Sequence, residues 1–344
     1  MTSDTSAVRQ GEELDVTALA HYLREELPGG AAAVEIEQFP NGHSNLVYLI
    51  RAGGREYVLR RPPLGPVAPK AHDMAREFRV LSAVHPYFPE APRVVLLCED
   101  ASVIGATFFL MERREGVVLR DAAPPGWEPI AEYPRMASEA FVDCLVRLHD
   151  VDVSAPELRA LGRPEGFVER QVRGWSERWQ GAKTEELPDM DRVISWLLDH
   201  VPHPLSPALV HNDFKLDNVM FAPSADRVEA VLDWEMATVG DPLADLGLSL
   251  CYWVAPDSTV SAITTRPGWF TRNEFVERYA RQTGRDVTHI GYYEVMGVFK
   301  LAVILQQIYF RFHRGQTHDE RFRNFDRRVR GLVSLASEMV EQQR

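Results

Sequence analysis

Cysteine is scarce in this sequence, and no cysteine spacing typical of a metal site is present. The three cysteines, Cys98, Cys144 and Cys251, are an odd number, lie far apart and form no C-x-x-C pair. We therefore expect neither a disulfide framework nor a structural zinc site. Each cysteine lies among apolar residues, which indicates a small buried side chain. A chain of 344 residues can bury a sizeable core without such cross-links.

A surplus of basic residues and a long apolar run are also lacking. Acidic residues outnumber Lys and Arg by 50 to 38, which disfavours a nucleic-acid or anionic-membrane partner. The most apolar stretch, Val295–Phe310, is short and is interrupted by Lys300 and two glutamines, so it predicts a buried core helix. The first residues, Met1–Gly11, contain no apolar segment of a secretory signal. We expect a cytoplasmic protein.

Strand and helix patterns divide the chain near Arg113–Val118. The earlier half is rich in strands and the later half is rich in amphipathic helices, which predicts an α+β fold with domains at 1–115 and 116–344. The predicted strands of the first half are Val34–Phe39, Leu46–Arg51, Tyr57–Arg60, Val94–Cys98 and Thr107–Glu112. The predicted helices are Asp15–Glu26, Met74–Val84, Ala137–Leu148, Phe167–Trp179, Asp191–His200, Arg272–Thr283, Gly291–Arg311 and Asp319–Gln342.

Two short apolar runs in the second half, Val219–Phe221 and Val228–Leu232, are separated by turn-forming residues. This pattern predicts a β-hairpin. Pairing of the two runs would set Asn218 opposite Asp233 at the open end of the hairpin. Asp213 would lie one loop earlier, at the same end.

The three side chains Asp213, Asn218 and Asp233 are of the types that phosphoryl transfer requires. Amide and carboxylate oxygens suit Mg²⁺, and an aspartate can orient a hydroxyl group and accept its proton. Each residue could alternatively be a polar loop residue that caps a turn. The D-x4-N spacing alone arises often by chance, but the flanking strands and the VLDWE segment at 231–235 strengthen the catalytic interpretation.

Three segments resemble the aminoglycoside phosphotransferase family, which has the protein-kinase-like fold: HNDFKLDN at 211–218, VLDWE at 231–235 and GDPLADL at 240–246. The branch that is most similar is related to the kinase-like domain fused to acyl-CoA dehydrogenases. YVLRRPP at 57–63 and GRPEG at 162–166 also match this branch. The resemblance implies a bilobal α+β fold, with a small β-rich nucleotide-binding N-lobe at 1–115. A larger helical C-lobe at 116–344 would carry the catalytic loop and the acceptor site.

The resemblance also implies roles for individual residues, with ATP and Mg²⁺ as cofactors. Asp213 is expected to be the catalytic base, and Asn218 and Asp233 to hold Mg²⁺. Arg60 and Glu77 would replace the lysine–glutamate pair of protein kinases, although a guanidinium has a different reach from an ammonium. The other expected contacts with ATP are Gly42, Ser44 and Asn45 in the turn 41–45 and the main chain at the hinge residues Glu112 and Arg114.

The acceptor is expected to be a small molecule with a hydroxyl group, either hydroxyacyl-CoA-like or aminoglycoside-like. Seven arginines stand against three acidic residues between 311 and 330, which favours an anionic acceptor or forms a solvated helix face. The aromatic residues of the helical half could contact the acceptor or lie in the core. The candidates are Trp175, Trp179, Trp196 and the region Tyr309–His318.

Two other functions are compatible with parts of the pattern. The first is a non-catalytic kinase-like nucleotide-binding regulatory module, whose only support is Arg60 at the lysine position. The second is a metal-dependent phosphohydrolase using His211, Asp213 and Asp233, which would need further ligands that the sequence does not show. A protein kinase is disfavoured, because no DFG or APE segment follows Asp233.

Four further residues near the motifs have expected roles. His211 would brace the loop that carries Asp213, and Glu235 could bind a second metal ion. Asp241 and Asp245 would cap and tie the loop after Asp233. Asp245 would cap a helix that begins near Leu246.

Overall fold

The computed structural model describes residues 4–27, 33–40, 45–64, 72–120, 124, 126–127, 130–253, 263–317 and 319–343. Gly42 and Ser44, two residues expected to bind phosphate, lie outside these ranges. The chain divides into two compact units. The first unit consists of Met1–Gly116 and Glu229–Glu235, and the second consists of Val117–Val228 and Met236–Arg344.

Strands dominate the earlier part of the chain and helices the later part. In chain order the helices and strands are α1 (Val16–Glu26), β1 (Val34–Gln38), β2 (Leu46–Ala52), β3 (Arg55–Arg61), α2 (Met74–Val84), β4 (Val94–Cys98), β5 (Phe108–Glu112), β6 (Val117–Val118), α3 (Tyr133–His149), α4 (Pro156–Arg159), α5 (Phe167–Ala182), α6 (Pro188–Asp199), β7 (Ala208–Val210), β8 (Val219–Phe221), β9 (Val228–Val231), β10 (Thr238–Gly240), α7 (Pro242–Trp253), α8 (Arg272–Thr283), α9 (Ile290–His313) and α10 (Phe325–Gln342).

The first unit is built on an antiparallel sheet with the strand order β1-β2-β3-β5-β4. A two-residue turn at Gly53 and Gly54 joins β2 to β3, and β1 to β3 pair with their neighbours in chain order as antiparallel strands. The register places Arg60 of β3 opposite Val47 of β2 and Phe109 of β5. Arg60 therefore stands in the middle strand of the sheet. The predicted strands of this half are confirmed.

Two helices accompany this sheet. Leu19 and Leu23 of α1 lie in a core cluster with Tyr48 and Leu59 of the sheet. The helix α2 begins after Asp73, whose carboxylate accepts the Arg76 N–H at 2.8 Å, as expected for an N-cap. Because the cap fixes where the helix starts, it also fixes the position of Glu77, which is buried in the first turn.

The second unit is mostly helical, and α9 is its central helix. The first seventeen residues of α9 are buried except Gly291 and Ile304, and α5, α6, α7 and α10 pack against this helix. Gly247 allows the close approach of α7, because a Cβ atom there would lie 2.5 Å from the main-chain carbonyl of Tyr293. By length and composition α9 is the one helix of the described ranges that could cross a membrane. However, 56% of its most apolar window is buried inside the protein, as in the core helix of a globular domain.

Several elements differ from the sequence prediction. The helix α7 begins at Pro242 rather than near Leu246, because proline is well suited to the first helical position and Asp241 Oδ1 accepts the Leu243 N–H at 3.0 Å. The predicted helix Asp319–Gln342 is divided: a 3-10 turn precedes α10, which starts at Phe325. The short helix α4 was not predicted, since four residues are too few to show helical periodicity.

Candidate active site

Asp213 is held by two neighbours from its own loop. Asn218 Nδ2 and Lys215 Nζ each donate a hydrogen bond to Asp213 Oδ2 at 2.8 Å, and Asn218 Nδ2 also lies 2.9 Å from the Asp213 carbonyl oxygen. The spacing of five residues brings this about, because a 3-10 turn at Leu216–Asn218 folds the chain back toward Asp213. Tyr252 of α7 also hydrogen-bonds to Asp213. Burial and the Asp213 charge raise the pKa of Tyr252 well above 10, so its hydroxyl stays protonated.

The main chain of this loop is anchored by α7. Asp245 accepts the N–H groups of His211 and Asn212, each at 2.5 Å, and Ser249 donates to the Phe214 carbonyl at 2.7 Å. Asp245 and Ser249 are four residues apart, so they lie on one face of the helix. Asn212 has a positive φ of 63°, a backbone conformation that asparagine tolerates better than most residues. The helix thus fixes the loop on both sides of Asp213.

Asp245 has a role that differs from the one predicted for it. It is fully buried in the first turn of α7 rather than placed before the helix as a cap, and it ties the loop before Asp213 rather than the loop after Asp233. His149 Nε2 lies 3.4 Å from Asp245 Oδ2, and His149 Nδ1 lies 2.8 Å from the Tyr279 hydroxyl. Burial alone would raise the pKa of Asp245. The hydrogen bond and charge of His149, together with His211, outweigh burial, so that the pKa is lowered.

Arg60 forms a buried ion cluster in the first unit. Its Nε lies 3.0 Å from Glu77 Oε2, and its Nη2 donates to Asp233 Oδ1. Asp233 reaches this position because the segment Glu229–Glu235 is fixed to the same unit: the Val231 N–H donates to the Glu90 carbonyl at 2.8 Å. The ion pair expected between Arg60 and Glu77 is present, and Asp233 is its third member.

The charges in this cluster depend on one another. Burial raises the pKa of Glu77 to about 7, an effect that Arg60 opposes and that Asp233 and Glu235 reinforce. Burial disfavours the charged guanidinium of Arg60, but the carboxylates of Glu77 and Asp233 outweigh it, so that the pKa of Arg60 is raised. The arginine is therefore permanently charged. Arg61, the neighbouring candidate, donates instead to the Ile104 carbonyl at 2.9 Å, as expected for the opposite face of the strand.

Asn45, which directly precedes β2, extends the cluster. When its amide is oriented so that the oxygen faces Arg60, that oxygen accepts from Arg60 Nη2 at 2.7 Å, and the amide nitrogen donates to His72 Nδ1 at 2.8 Å. Arg76 of α2 donates to the Glu235 carbonyl oxygen. The expected phosphate turn thus ends on a residue that contacts the arginine expected to bind phosphate.

The expected hinge residues are fixed by contacts within the first unit. The Glu112 N–H donates to the Arg93 carbonyl at 2.8 Å, and the Glu112 carboxylate accepts the Arg93 N–H at 2.9 Å. Arg114 Nη2 lies 2.7 Å from Glu112 Oε1 and 2.7 Å from the Pro89 carbonyl. Both side chains are therefore engaged with the protein, which is compatible with recognition of adenine through the main chain.

The expected metal ligands belong to different units. Asp233 follows β9 in the first unit, whereas Asn218 directly precedes β8 in the second. The turn between these strands is closed by a 2.9 Å hydrogen bond from the Ala222 N–H to the Arg227 carbonyl. Within the described ranges no group of three or more His, Cys, Asp or Glu side chains is placed to hold a metal ion.

Several residues around Asp213 were missed by sequence reasoning. Lys215 lies in the recognised motif and could have been found from its charge two residues after the expected base. Tyr252 carries no local signal, because only the packing of α7 brings it to Asp213. Among the aromatic candidates for the acceptor site, Trp175 and Trp179 are buried in the core, whereas Trp196 is half-buried and stacks on His200.

Comparison with solved structures defines the class of fold. A candidate aminoglycoside phosphotransferase from Ralstonia eutropha has a TM-score of 0.81 and 30% identity, over 96% of this chain and 99% of that one. A choline kinase from Cryptosporidium parvum has a TM-score of 0.63 at 13% identity, over 96% and 97% of the two chains. A thermostable mutant of the aminoglycoside phosphotransferase APH(4)-Ia, in a ternary complex with ADP and hygromycin B, has a TM-score of 0.57 at 18% identity, over 94% and 98% of the two chains. The last two structures are less than 25% identical to this chain, so they are evidence for its fold alone. That fold is the protein-kinase-like α+β fold.

Residues 35–295 match the phosphotransferase enzyme family, and the chain belongs to this family. A mouse protein named acyl-CoA dehydrogenase family member 10 is 34% identical over 341 residues, which cover 97% of this chain and 32% of that protein. A rat protein named acyl-CoA dehydrogenase family member 11 is 35% identical over 332 residues, which cover 93% and 42%. The chain spans less than half the length of these curated relatives. The family and the branch inferred from the sequence motifs are confirmed.

Proposed function

We propose that this chain transfers the γ-phosphoryl group of ATP to a hydroxyl group of a small molecule. The observation that carries the proposal is the set of contacts at Asp213, whose carboxylate accepts hydrogen bonds from Asn218 and Lys215 on a loop anchored by α7. A carboxylate fixed in this way can orient a hydroxyl and accept its proton. The lysine supplies positive charge of the kind that stabilises a transferring phosphoryl group. Membership of the phosphotransferase enzyme family supports the same reaction.

The residues expected to hold Mg²⁺ have suitable chemistry. The Asp233 carboxylate and the Asn218 amide oxygen are hard oxygen donors, which Mg²⁺ prefers. Asn218 Nδ2 is already engaged with Asp213, so the amide presents its oxygen to an ion. Bound Mg²⁺ would neutralise the negative charge of the ATP phosphates.

The remaining roles concern ATP as substrate. Arg60 would contact its phosphates, and Asn45 would act with Gly42 and Ser44 in the phosphate turn. Because the Glu112 N–H is engaged with Arg93, we expect adenine to bind to the main chain that follows, toward Arg114. The ADP present in the APH(4)-Ia complex supports a nucleotide site in this fold.

The acceptor that we propose is a hydroxyacyl group carried as a coenzyme A ester. The names of the mouse and rat relatives refer to acyl-CoA, and the charge at the end of the chain is compatible with an anionic acceptor. Arg321, Arg323 and Arg330 pair with acidic residues. Arg311 and Arg314 are exposed and form no ion pair within the described ranges, although the Arg314 guanidinium lies 5.1 Å from the centre of the Phe310 ring. Both charges face solvent, where an anion can reach them.

A coupled assay of ADP release tests the reaction and its acceptor together. The panel should contain hydroxyacyl-CoA esters, the free hydroxy acids, aminoglycosides, amino alcohols and sugars, each with ATP and Mg²⁺. We expect a hydroxyacyl-CoA ester to stimulate ADP release at least about tenfold over the rate in water, with formation of a phosphate monoester. If only an aminoglycoside stimulated ADP release, the proposed hydroxyacyl-CoA acceptor would be wrong, but phosphoryl transfer from ATP would still be supported. Binding of ATP without stimulation by any acceptor would favour a non-catalytic regulatory module.

Replacing Arg60 by methionine is expected to weaken ATP binding by about tenfold or more, the equivalent of about 1.4 kcal/mol. The substitution also leaves Glu77 buried without its partner, which is expected to lower the free energy of unfolding by about 3–5 kcal/mol. Arg60→Lys keeps the charge but cannot hold two carboxylates with one planar fork, so we expect an intermediate affinity. Calorimetric titration with ATP measures the first effect, and urea unfolding measures the second.

Arg61→Met is the matched control for this experiment. Arg61 is the next residue on the same strand, is similarly buried and also loses a hydrogen bond on substitution. We expect Arg61→Met to lower stability but to leave the Kd for ATP within about twofold, which is close to RT ln 2 or 0.4 kcal/mol. Equal losses of ATP affinity in both variants would contradict a specific role for Arg60.

A further inference from the structure

Lys300 is a buried charge that the proposed reaction does not use. It lies in the middle of α9, its side chain is almost inaccessible to solvent, and it belongs to the same unit as Asp213. Burying an ammonium is unfavourable unless it is paired and hydrogen-bonded. Its Nζ donates to the main-chain carbonyl of Asn212 at 2.6 Å. We propose that Lys300 is a positioning residue, which sets the Asn212–Asp213 peptide and thereby the direction of the Asp213 side chain.

The peptide that joins Asn212 to Asp213 is fixed at both of its polar groups. Its carbonyl accepts from Lys300, and its N–H, on Asp213, faces His211 Nδ1 at 3.3 Å. The preceding peptide is fixed by Asp245, which accepts the Asn212 N–H at 2.5 Å. Lys300 therefore completes a set of three anchors around a residue with left-handed backbone geometry. Since that geometry is unfavourable for most residues, the loop needs such anchors to hold it.

The surroundings of Lys300 favour an ammonium at this position. Its Nζ lies 5.3 Å from the centre of the Trp175 ring, within cation–π range. Burial is the largest influence on this group and lowers the pKa of Lys300 to about 8. The charges of Asp213 and Asp245 partly oppose this shift, whereas those of Lys215 and Arg178 add to it. The anchor is therefore charged at neutral pH and loses its charge in the mildly alkaline range.

The inference rests on the proposed function, in which Asp213 orients the acceptor hydroxyl. A carboxylate displaced by about 1 Å loses much of its catalytic effect without a matching loss of substrate binding. A positioning role therefore predicts a fall in kcat with little change in ATP affinity. A purely structural role predicts a loss of stability and no specific change in turnover.

The test compares Lys300→Met with Gln306→Met. Gln306 is on the same helix, is equally buried and donates to a different main-chain carbonyl, that of Ala182, at 2.8 Å. We expect both variants to unfold at a similarly lower temperature. Lys300→Met should lower kcat by about 10- to 100-fold with a Kd for ATP within about threefold, while Gln306→Met should keep kcat within about twofold. Equal kcat values for the two variants would overturn the proposal.

The pH dependence of kcat gives a readout that a structural role would not change. In the wild-type protein kcat should fall by about threefold or more above pH 8, because a neutral amine donates a weaker hydrogen bond than an ammonium. Lys300→Met should have a lower kcat at every pH, and its kcat should not show this fall above pH 8. An identical step in the variant would show that another group titrates and would overturn this part of the inference.

Hydrogen exchange separates failure of this inference from failure of the proposed function. Amides of residues 211–216 should exchange about tenfold faster or more in Lys300→Met than in the wild-type protein, and at the wild-type rate in Gln306→Met. If no acceptor supports turnover, this selective change would still support the anchor while the function fails. If Lys300→Met does not fold, Lys300→Leu, which also lacks a hydrogen-bond donor, takes its place. Unchanged exchange in a folded variant would overturn the proposal.

Discussion

Replacing Asp213 by alanine is expected to lower kcat for phosphoryl transfer by about 10²–10⁴-fold, the range typical of a general acid or base. The carboxylate is the group that would accept the hydroxyl proton, and neither Asn218 nor Lys215 can take over this role at neutral pH, since an amide and an ammonium bind no further proton. The affinity for ATP should change little, because the expected ATP contacts come from Arg60 and its neighbours. Single-turnover phosphoryl transfer and calorimetric titration measure the two quantities.

Two further variants make this prediction specific. Asp213→Asn keeps the shape of the side chain but removes its negative charge, so it should be almost as inactive as Asp213→Ala. Asp217→Asn, in the same loop, changes an exposed carboxylate and should keep kcat within about twofold, since substitutions of exposed side chains usually have small effects. Near-normal turnover by Asp213→Asn would exclude Asp213 as the base. A similar loss of kcat in Asp217→Asn would show that the effect comes from the total negative charge of the loop and not from Asp213 itself.

The parts of the site that could be predicted from the sequence are those encoded locally. Asp213 and Asn218 are five residues apart, so one short turn brings the amide to the carboxylate, as the motif suggested. The strands of the first unit were predicted well for the same reason, since alternation and turn residues are local signals. Arg60 and Glu77 are seventeen residues apart and were paired through the family resemblance, not through spacing. Their contact is present.

The parts that were missed depend on packing between distant elements. Lys300 lies 88 residues from the carbonyl that it anchors, and its position in an apolar run predicts only a buried helix. Asp245 was expected to cap a helix, because an aspartate before an apolar run is typical of an N-cap. In the structure Asp241 takes that place, and Asp245 falls one turn inside the helix, where it faces the loop. A one-turn difference in the helix start therefore changed the assigned role.

Asp245→Asn is expected to lower the free energy of unfolding by about 3–5 kcal/mol, the range for breaking a buried charged network. The carboxylate accepts two main-chain N–H groups and lies beside His149, whereas an amide has one oxygen and would turn an NH₂ group toward one of those donors. At about 2–4 °C per kcal/mol, the melting temperature should fall by roughly 10 °C. The loop that carries Asp213 also loses its anchor. We therefore expect kcat to fall even at temperatures well below the melting temperature of the variant.

The appropriate control is Asp241→Asn. Asp241 is also a buried carboxylate that accepts hydrogen bonds, at 2.8 Å from the Tyr293 hydroxyl and 3.0 Å from the Leu243 N–H. Within the part of the chain that the structure describes, its hydrogen-bond partners lie outside the Asp213 loop. Both variants should be less stable. Only Asp245→Asn should lose turnover at a temperature where both proteins are folded, as judged by circular dichroism. A stability loss without a selective loss of turnover would show that Asp245 supports the fold alone.

The pH dependence of stability gives an independent check on Asp245. Its folded-state pKa is lowered, while the unfolded value is near 3.9. Since the native protein holds the ionised form more firmly than the unfolded chain does, the stabilisation is fully present above about pH 5 and is lost as the pH falls through the folded-state pKa. The difference in urea midpoint between wild-type protein and Asp245→Asn should therefore be largest near pH 7 and should narrow below pH 4. A difference that does not narrow would mean that Asp245 stabilises the loop by shape rather than by charge.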